Sequence, residues 1–285
     1  MAIFESVSLV TNIAKGYSLQ QAMRIASECG FGRVEIASIG GMCEHVKPGD
    51  ITPGFIKSVS DMMEAHKLSA YAFSGHVDLT LDDELEGFLK KMDLAAGIGC
   101  ALINTNTGPA GRMAEFRRNL PRFIDRAERL GLTVCLESHG DIVGTAKDAA
   151  PLFREINHPL IRFNYDTGNT YFYAGGNVTI EDDILYGLEY MAYVHVKDIH
   201  IDGGGSGGGG GGAYYRPLGE GDVNLPKVFE ALGQLGRPIH CGLEIPVFVA
   251  GTLAGLSSDA APISEGEISG AVGQSMAYMR QHGAI

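Results

Sequence analysis

Short apolar runs rich in β-branched residues alternate along the whole chain with longer stretches whose apolar positions recur every three to four residues. The first kind predicts strands over Ser6–Asn12, Arg33–Ser38, Ser69–Ser74, Ala101–Thr105, Thr133–Ser138, Ile161–Asp166, Ala192–Lys197 and Ile239–Ile245. The second predicts helices over Ser18–Cys29, Pro53–His66, Asp82–Ile98, Met113–Leu130, Ala146–Ile156, Ile180–Leu188, Leu225–Leu235 and Ser264–Gln281. Ser18 and Asp82 stand where N-caps belong, and Gly30, Gly99, Gly131 and Gly236 follow helix ends where a left-handed glycine belongs.

Strand–helix units repeated across 285 residues predict a single (β/α)8 TIM barrel, with 1–285 as one domain. An open doubly wound sheet is the competitor, but no GxGxxG turn follows the first strand. Residues 203–212 read GGGSGGGGGG, directly after the seventh strand. Such a run is expected to be a flexible coil with a high ordering cost. It serves either as a passive spacer or as the hinge of a lid that brings the tyrosines of AYYRPLGEG over a ligand.

Composition narrows the partners. Apolar residues make up 45% and charged residues 20%, which is ordinary for a globular protein. A formal net charge of −12 argues against nucleic acid, whose phosphates need a basic face. The five cysteines are scattered without a CxxC pair, as in a reducing compartment. The segment MAIFESVSLVTN lacks the basic and long apolar regions of a secretory signal, and no apolar run reaches membrane length. Cytoplasm is the expected location.

In a closed parallel barrel the C-terminal strand ends converge on one mouth, and alternate residues of a strand share a face. TVCLESHG therefore brings Glu137 and His139 to the mouth together, and IRFNYDTGN brings Asn164 and Asp166, with Asn169 in the turn beyond. AYVHVKDIH places Tyr193, His195 and Lys197 on one face, and HCGLEIP places Glu244 after a glycine that permits close approach. Unpaired charges buried there would be costly. Glu137, Asp166, His195 and Glu244 form an oxygen-rich set suited to one divalent cation, Mn²⁺ foremost, with Mg²⁺, Co²⁺ or Zn²⁺ also suited. Any one of them alone would read as a hydrogen-bonded core residue. Glu35 and His76 can also enter the mouth, as ligand contacts or as structural hydrogen-bond partners. Asn104 and Asn106 share a face and can donate to substrate oxygens or form a turn. Lys197 can neutralise an oxyanion or pair with a site carboxylate, whereas Asp198, of opposite parity, reads as structural. His45, His66, His158 and His240 read as surface or helix-boundary residues, and Asn224 as an N-cap.

The elements LESHG, NYDTGN, VHVKD, PLGEGDVN and GLEIP resemble, in order and spacing, the sugar phosphate isomerase/epimerase (xylose isomerase-like) barrels. That superfamily includes ketose 3-epimerases, hydroxypyruvate isomerases, inosose dehydratases and endonuclease-IV-type enzymes. The resemblance implies that Glu137, Asp166, His195 and Glu244 hold one metal and that Glu137 and Glu244 act as acid and base on a bound ketose. It implies an isomerase or epimerase of a small sugar or keto-sugar that works through a metal-stabilised enediolate. The chain differs from the ketose 3-epimerase branch where Asn169 replaces a histidine and Ile201 replaces an arginine, so substrate gripping differs. His139 supplies a further base, which would suit a lyase or dehydratase acting by β-elimination on an oxo-sugar or inosose. A phosphodiesterase of the endonuclease-IV kind would need three zinc ions and more histidines than the strand ends carry. A barrel that only binds its ligand is the non-enzymatic alternative. The expected substrate contacts are His76, Asn106, Asn169 and Lys197. Association of copies through surface helices is a further expectation.

Overall fold

All eight predicted strands form, and their ladders close. The computed structural model describes residues 2–202, 213–246 and 262–285. Its strands are β1 (Phe4–Val10), β2 (Arg33–Ile39), β3 (Cys43–Glu44), β4 (Ser69–Ser74), β5 (Leu102–Thr105), β6 (Thr133–Glu137), β7 (Ile161–Asp166), β8 (Met191–Val196), β9 (Asp198–Ile201), β10 (Ala213–Arg216) and β11 (Ile239–Leu243). Parallel pairing runs β1-β2-β4-β5-β6-β7-β8-β11 and back to β1, a closed barrel.

The helices are α1 (Leu19–Glu28), α2 (Pro53–Ala65), α3 (Asp82–Gly97), α4 (Met113–Leu130), α5 (Ala146–Ile156), α6 (Thr167–Tyr173), α7 (Ile180–Asp183), α8 (Leu225–Leu232) and α9 (Glu265–Gln281). Local chemistry starts and stops them. Ser18 with Gln21, and Ser264 with Glu267, make capping boxes, and Gly131 ends α4 at φ 62°. Leu81 rather than Asp82 holds the N-cap position of α3; Asp82, Asp83 and Glu84 instead place negative charge in its first turn. Asn224 precedes α8 but makes no side-chain cap; its amide donates to Glu181.

Helix faces seal the outside of the barrel. Phe123 of α4 meets Phe88 of α3 and Phe116 at centroid distances of 6.3 and 6.1 Å, and burying each ring contributes about 1.5–3 kcal/mol. Inside, Ala72, Leu102, Cys135 and Tyr193 form one packed layer. Towards the other end of the barrel His240 lies 3.7 Å from the Tyr71 ring and 2.7 Å from Ser6 Oγ, so it is an interior strand residue rather than a surface one. Cys43, Cys100, Cys135 and Cys241 are free and buried.

Three features departed from the pattern. The helix predicted over 180–188 shortens to α7 and gives way to 3-10 turns around Gly187, whose Cβ would strike the Phe163 ring. The chain after β7 folds as α6, which periodicity over so few residues does not reveal. AYYR, for which no strand was predicted, is β10, paired antiparallel with β9 from Ala213↔Ile201 to Arg216↔Asp198. The glycine run 203–212, with the hinge expected of it, lies outside the described residues. Asp198 is structural as read: its carboxylate accepts the backbone N–H groups of Gly219, Gly221 and Val223 and so folds the PLGEGDVN turn. Among the described residues no helix is long and apolar enough to cross a membrane.

Candidate metal centre

Neighbouring parallel strands in register bring the polar strand ends together. Glu137 ends β6, Asp166 ends β7, His195 is the fifth of the six residues of β8, and Glu244 follows β11 directly. In the ladders Asp166 lies opposite His195, and His195 opposite Gly242. All four side chains are buried, and one ligand atom from each lies within 4.8 Å of the others. His195 Nδ1 stands 3.0 Å from Glu137 Oε2, 3.1 Å from Glu244 Oε2 and 3.7 Å from Asp166 Oδ2. Its other nitrogen, Nε2, faces Glu35 Oε1 at 3.0 Å.

Each carboxylate is also tethered away from the point of convergence. Asn12 donates to Glu244 Oε1 at 2.7 Å, and Asn169 donates to Glu137 Oε1 at 3.0 Å. Asn164 donates to Glu137 Oε2 at 2.8 Å, with His76 Nε2 at 3.1 Å from the same oxygen. The Asn169 backbone N–H donates to Asp166 Oδ1 at 2.7 Å. Lys197 Nζ reaches Asp166 Oδ2 at 2.8 Å and Glu244 Oε2 at 2.9 Å and donates to Asn169 Oδ1 at 3.1 Å. The two carboxylate oxygens near Lys197 are close enough for ion pairing, but its ammonium is not aligned to donate a hydrogen bond to either.

These contacts set the charges. Burial favours the neutral form of Glu137, but the His76 and His195 rings outweigh it and hold the carboxyl well below its ordinary value. Burial likewise opposes ionisation of Glu244, and Lys197 and His195 overcome it. Asp166 is pushed up to about 6 because burial exceeds the help of Lys197 and His195. Burial disfavours the charged forms of His195 and Lys197, yet the carboxylates around them raise both. A divalent cation fits this set. Two buried carboxylate oxygens without hydrogen bonds and an imidazole nitrogen converge, and hard oxygen donors with one imidazole suit Mg²⁺, Mn²⁺, Co²⁺ or Zn²⁺.

Above the cluster opens a cavity of about 840 Å³. Glu137 and Glu244 form part of its lining, as do His76, Asn106, His139, Asn169 and Lys197. Asp166 and His195 are not part of the lining. His139 is 5.1 Å from the Tyr173 ring and 6.0 Å from that of His76, and burial holds its imidazole below its ordinary value, hence neutral at pH 7. Asn104 does not reach the cavity but donates to Glu35 Oε1 at 2.7 Å. Of the two tyrosines in AYYR, Tyr215 lines the cavity, its ring 5.3 Å from Lys197 Nζ.

Asn12, Tyr173 and Lys91 were not picked out from the sequence. Asn12 stands where the first apolar run turns polar, and Tyr173 ends a short helix. Lys91 left a signal, a lysine on the buried stripe of α3 beside Leu85, Phe88 and Met92. Its ammonium donates to the carbonyls of Ser38 at 2.7 Å and His76 at 3.3 Å. Burial lowers its pKa to about 8, although Glu44 and Glu84 oppose the shift. The charged form is thus disfavoured by folding, at full cost below pH 8 and at none above the ordinary value near 10.5. Wild-type stability should accordingly gain up to about 3 kcal/mol relative to Lys91→Met between pH 7 and pH 10.5. Urea unfolding of both proteins at the two pH values measures the difference, and parallel behaviour would refute it.

The family model described as xylose isomerase-like TIM barrel matches residues 23–279. No match was found among curated proteins. The fold is similar to that of D-allulose 3-epimerase from Methylomonas sp., solved with D-allulose, at 18% identity and TM-score 0.71 over 99% of each chain. It is also similar to a xylose isomerase-like TIM barrel protein from Mycobacterium smegmatis, solved with magnesium, at 14% identity and TM-score 0.70 over 95% of this chain and 97% of that one. A third similar structure is the probable 3-DHS dehydratase AsbF of Bacillus anthracis, at 16% identity and TM-score 0.67 over 96% of this chain and 98% of that one. At these identities the likeness speaks for the fold, while the match over most of the sequence decides the lineage: the chain belongs to the xylose isomerase-like TIM barrel family.

Proposed function

We propose that this protein is a divalent-metal-dependent isomerase or epimerase of a small sugar or keto-sugar. The observation that carries the reading is the convergence of Glu137, Asp166, His195 and Glu244 within 4.8 Å beneath a cavity wide enough for a sugar. A divalent ion held there, Mn²⁺ foremost, supplies Lewis acidity toward a carbonyl and the hydroxyl beside it, which acidifies the C–H between them. Glu137 and Glu244, both ionised, are the groups that take and return that proton. Asn169 and Lys197 stand where they can orient substrate oxygens, and Asn106, whose buried Oδ1 lacks a partner, can accept from a hydroxyl. Proteins of similar fold solved with D-allulose and with magnesium support this reading.

His139 carries a second reading, elimination of water or an aglycone from an oxo-sugar. Its neutral imidazole lines the same cavity, and a protein of similar fold described as a probable 3-DHS dehydratase supports the alternative. Proton NMR in D₂O with a panel of ketoses and oxo-sugars separates the two. Deuterium entering the substrate carbon without loss of a group selects the isomerase, and loss of water or aglycone selects the lyase. His139→Asn should leave isomerase turnover nearly intact; a fall of about 10²-fold or more would transfer the base role to His139 and favour the lyase.

A further inference from the structure

Glu35, in β2, is fully buried and lies outside the four converging groups. Its Oε1 accepts from Ser74 Oγ at 2.6 Å and from Asn104 Nδ2 at 2.7 Å, and His195 Nε2 lies 3.0 Å away. Its Oε2 accepts nothing. Among the described residues no lysine or arginine pairs with it, so His195 is the ring that answers its charge.

A buried carboxylate is a costly way to satisfy a serine and an amide, and an apolar side chain in its place would avoid the desolvation. What a carboxylate does is choose between the nitrogens of an imidazole. It only accepts, so the nitrogen facing it carries the hydrogen, and with a cation held among the carboxylates on the far side the other nitrogen would present its lone pair to that ion. The nitrogen facing Glu35 is Nε2, and the one among Glu137, Asp166 and Glu244 is Nδ1. The packing holds that choice. A Cβ on Gly242 would come within 2.7 Å of Glu35 Oε2 and 2.9 Å of His195 Cδ2, so glycine there allows the carboxylate and the ring to sit side by side.

We propose that Glu35 is a positioning residue for the metal, fixing His195 as an Nδ1 ligand and strengthening that nitrogen as a donor. The inference rests on the reading of Glu137, Asp166, His195 and Glu244 as a metal centre.

Calorimetric titration of Mn²⁺ into wild type and Glu35→Gln tests it, with circular dichroism checking the fold of each. The glutamine oxygen can still accept from Ser74 and Asn104, so the barrel is expected to stay folded while the dissociation constant rises about 10- to 100-fold. A second measurement needs no variant. In ¹⁵N-histidine NMR of the Zn²⁺-loaded wild type, His195 is expected to show metal-bound Nδ1 and a protonated Nε2. Unchanged Mn²⁺ affinity in a folded Glu35→Gln protein, or Zn²⁺ on Nε2, would overturn the role of Glu35 and leave the isomerase reading standing. A wild-type protein that takes up neither ion would overturn both.

Discussion

Stripping the protein of divalent ions is expected to lower its turnover on the order of 10³-fold or more, since Lewis-acid stabilisation of developing charge is worth several kcal/mol. Returning Mn²⁺ or Mg²⁺ should restore it. The expectation follows from the floor of the cavity, where three buried carboxylates, Glu137, Asp166 and Glu244, converge around one ammonium, Lys197, and two imidazoles, His195 and His76. Lys197 and His195 offset part of the negative charge, so the stripped barrel should remain folded. The ion should also raise the melting temperature, because a ligand that binds only the folded state at a hundredfold excess over its Kd adds about 2.7 kcal/mol. Asp166→Asn should abolish that rise with little harm to the fold, as Asp166 carries no part of the apolar core. Elemental analysis beside the activity assay decides the matter. Protein free of every divalent metal that turned over at the full rate would refute the metal centre.

Glu137→Gln and Glu244→Gln are each expected to cut turnover by about 10²-fold or more, the usual scale for loss of a general acid or base. Glutamine keeps the shape and one carbonyl oxygen of each ligand but cannot take a proton. Measured at saturating Mn²⁺, the loss should therefore appear in kcat with metal content retained. The two variants should lose stability through different contacts. Glu137 meets donors from Asn164, Asn169 and His76, so a glutamine there places an amide NH₂ against one of those donors. Glu244 is held on one oxygen by Asn12 and lies 2.9 Å from the Lys197 ammonium with the other, so there the exchange also removes a buried ion pair. Full turnover in either variant would remove that glutamate from the proton transfer.

Much of this was legible in the chain because the signals are local. Repeated strand and helix periods specify the barrel, since each strand must bury both faces and each helix one stripe. Period-two alternation places Glu137 and His139, and separately His195 and Lys197, at the mouth. Four polar residues that interrupt buried runs at matching strand ends then point to one site.

What the sequence by itself determined is the order of elements and which polar side chains face the mouth, because both follow from periodicity and from the direction of a parallel barrel. Tertiary structure alone decided the pairings across the barrel. Asn12 reaches Glu244 across 232 positions of the chain, and Glu35 meets His195 across 160, separations that no local pattern encodes. It also decided which nitrogen of His195 faces the carboxylates, that Asn104 serves Glu35 rather than the cavity, and that a lysine on the stripe of α3 ends against two backbone carbonyls. Those choices depend on ladder register and on close approach at a residue such as Gly242, and both exist only once the sheet has closed.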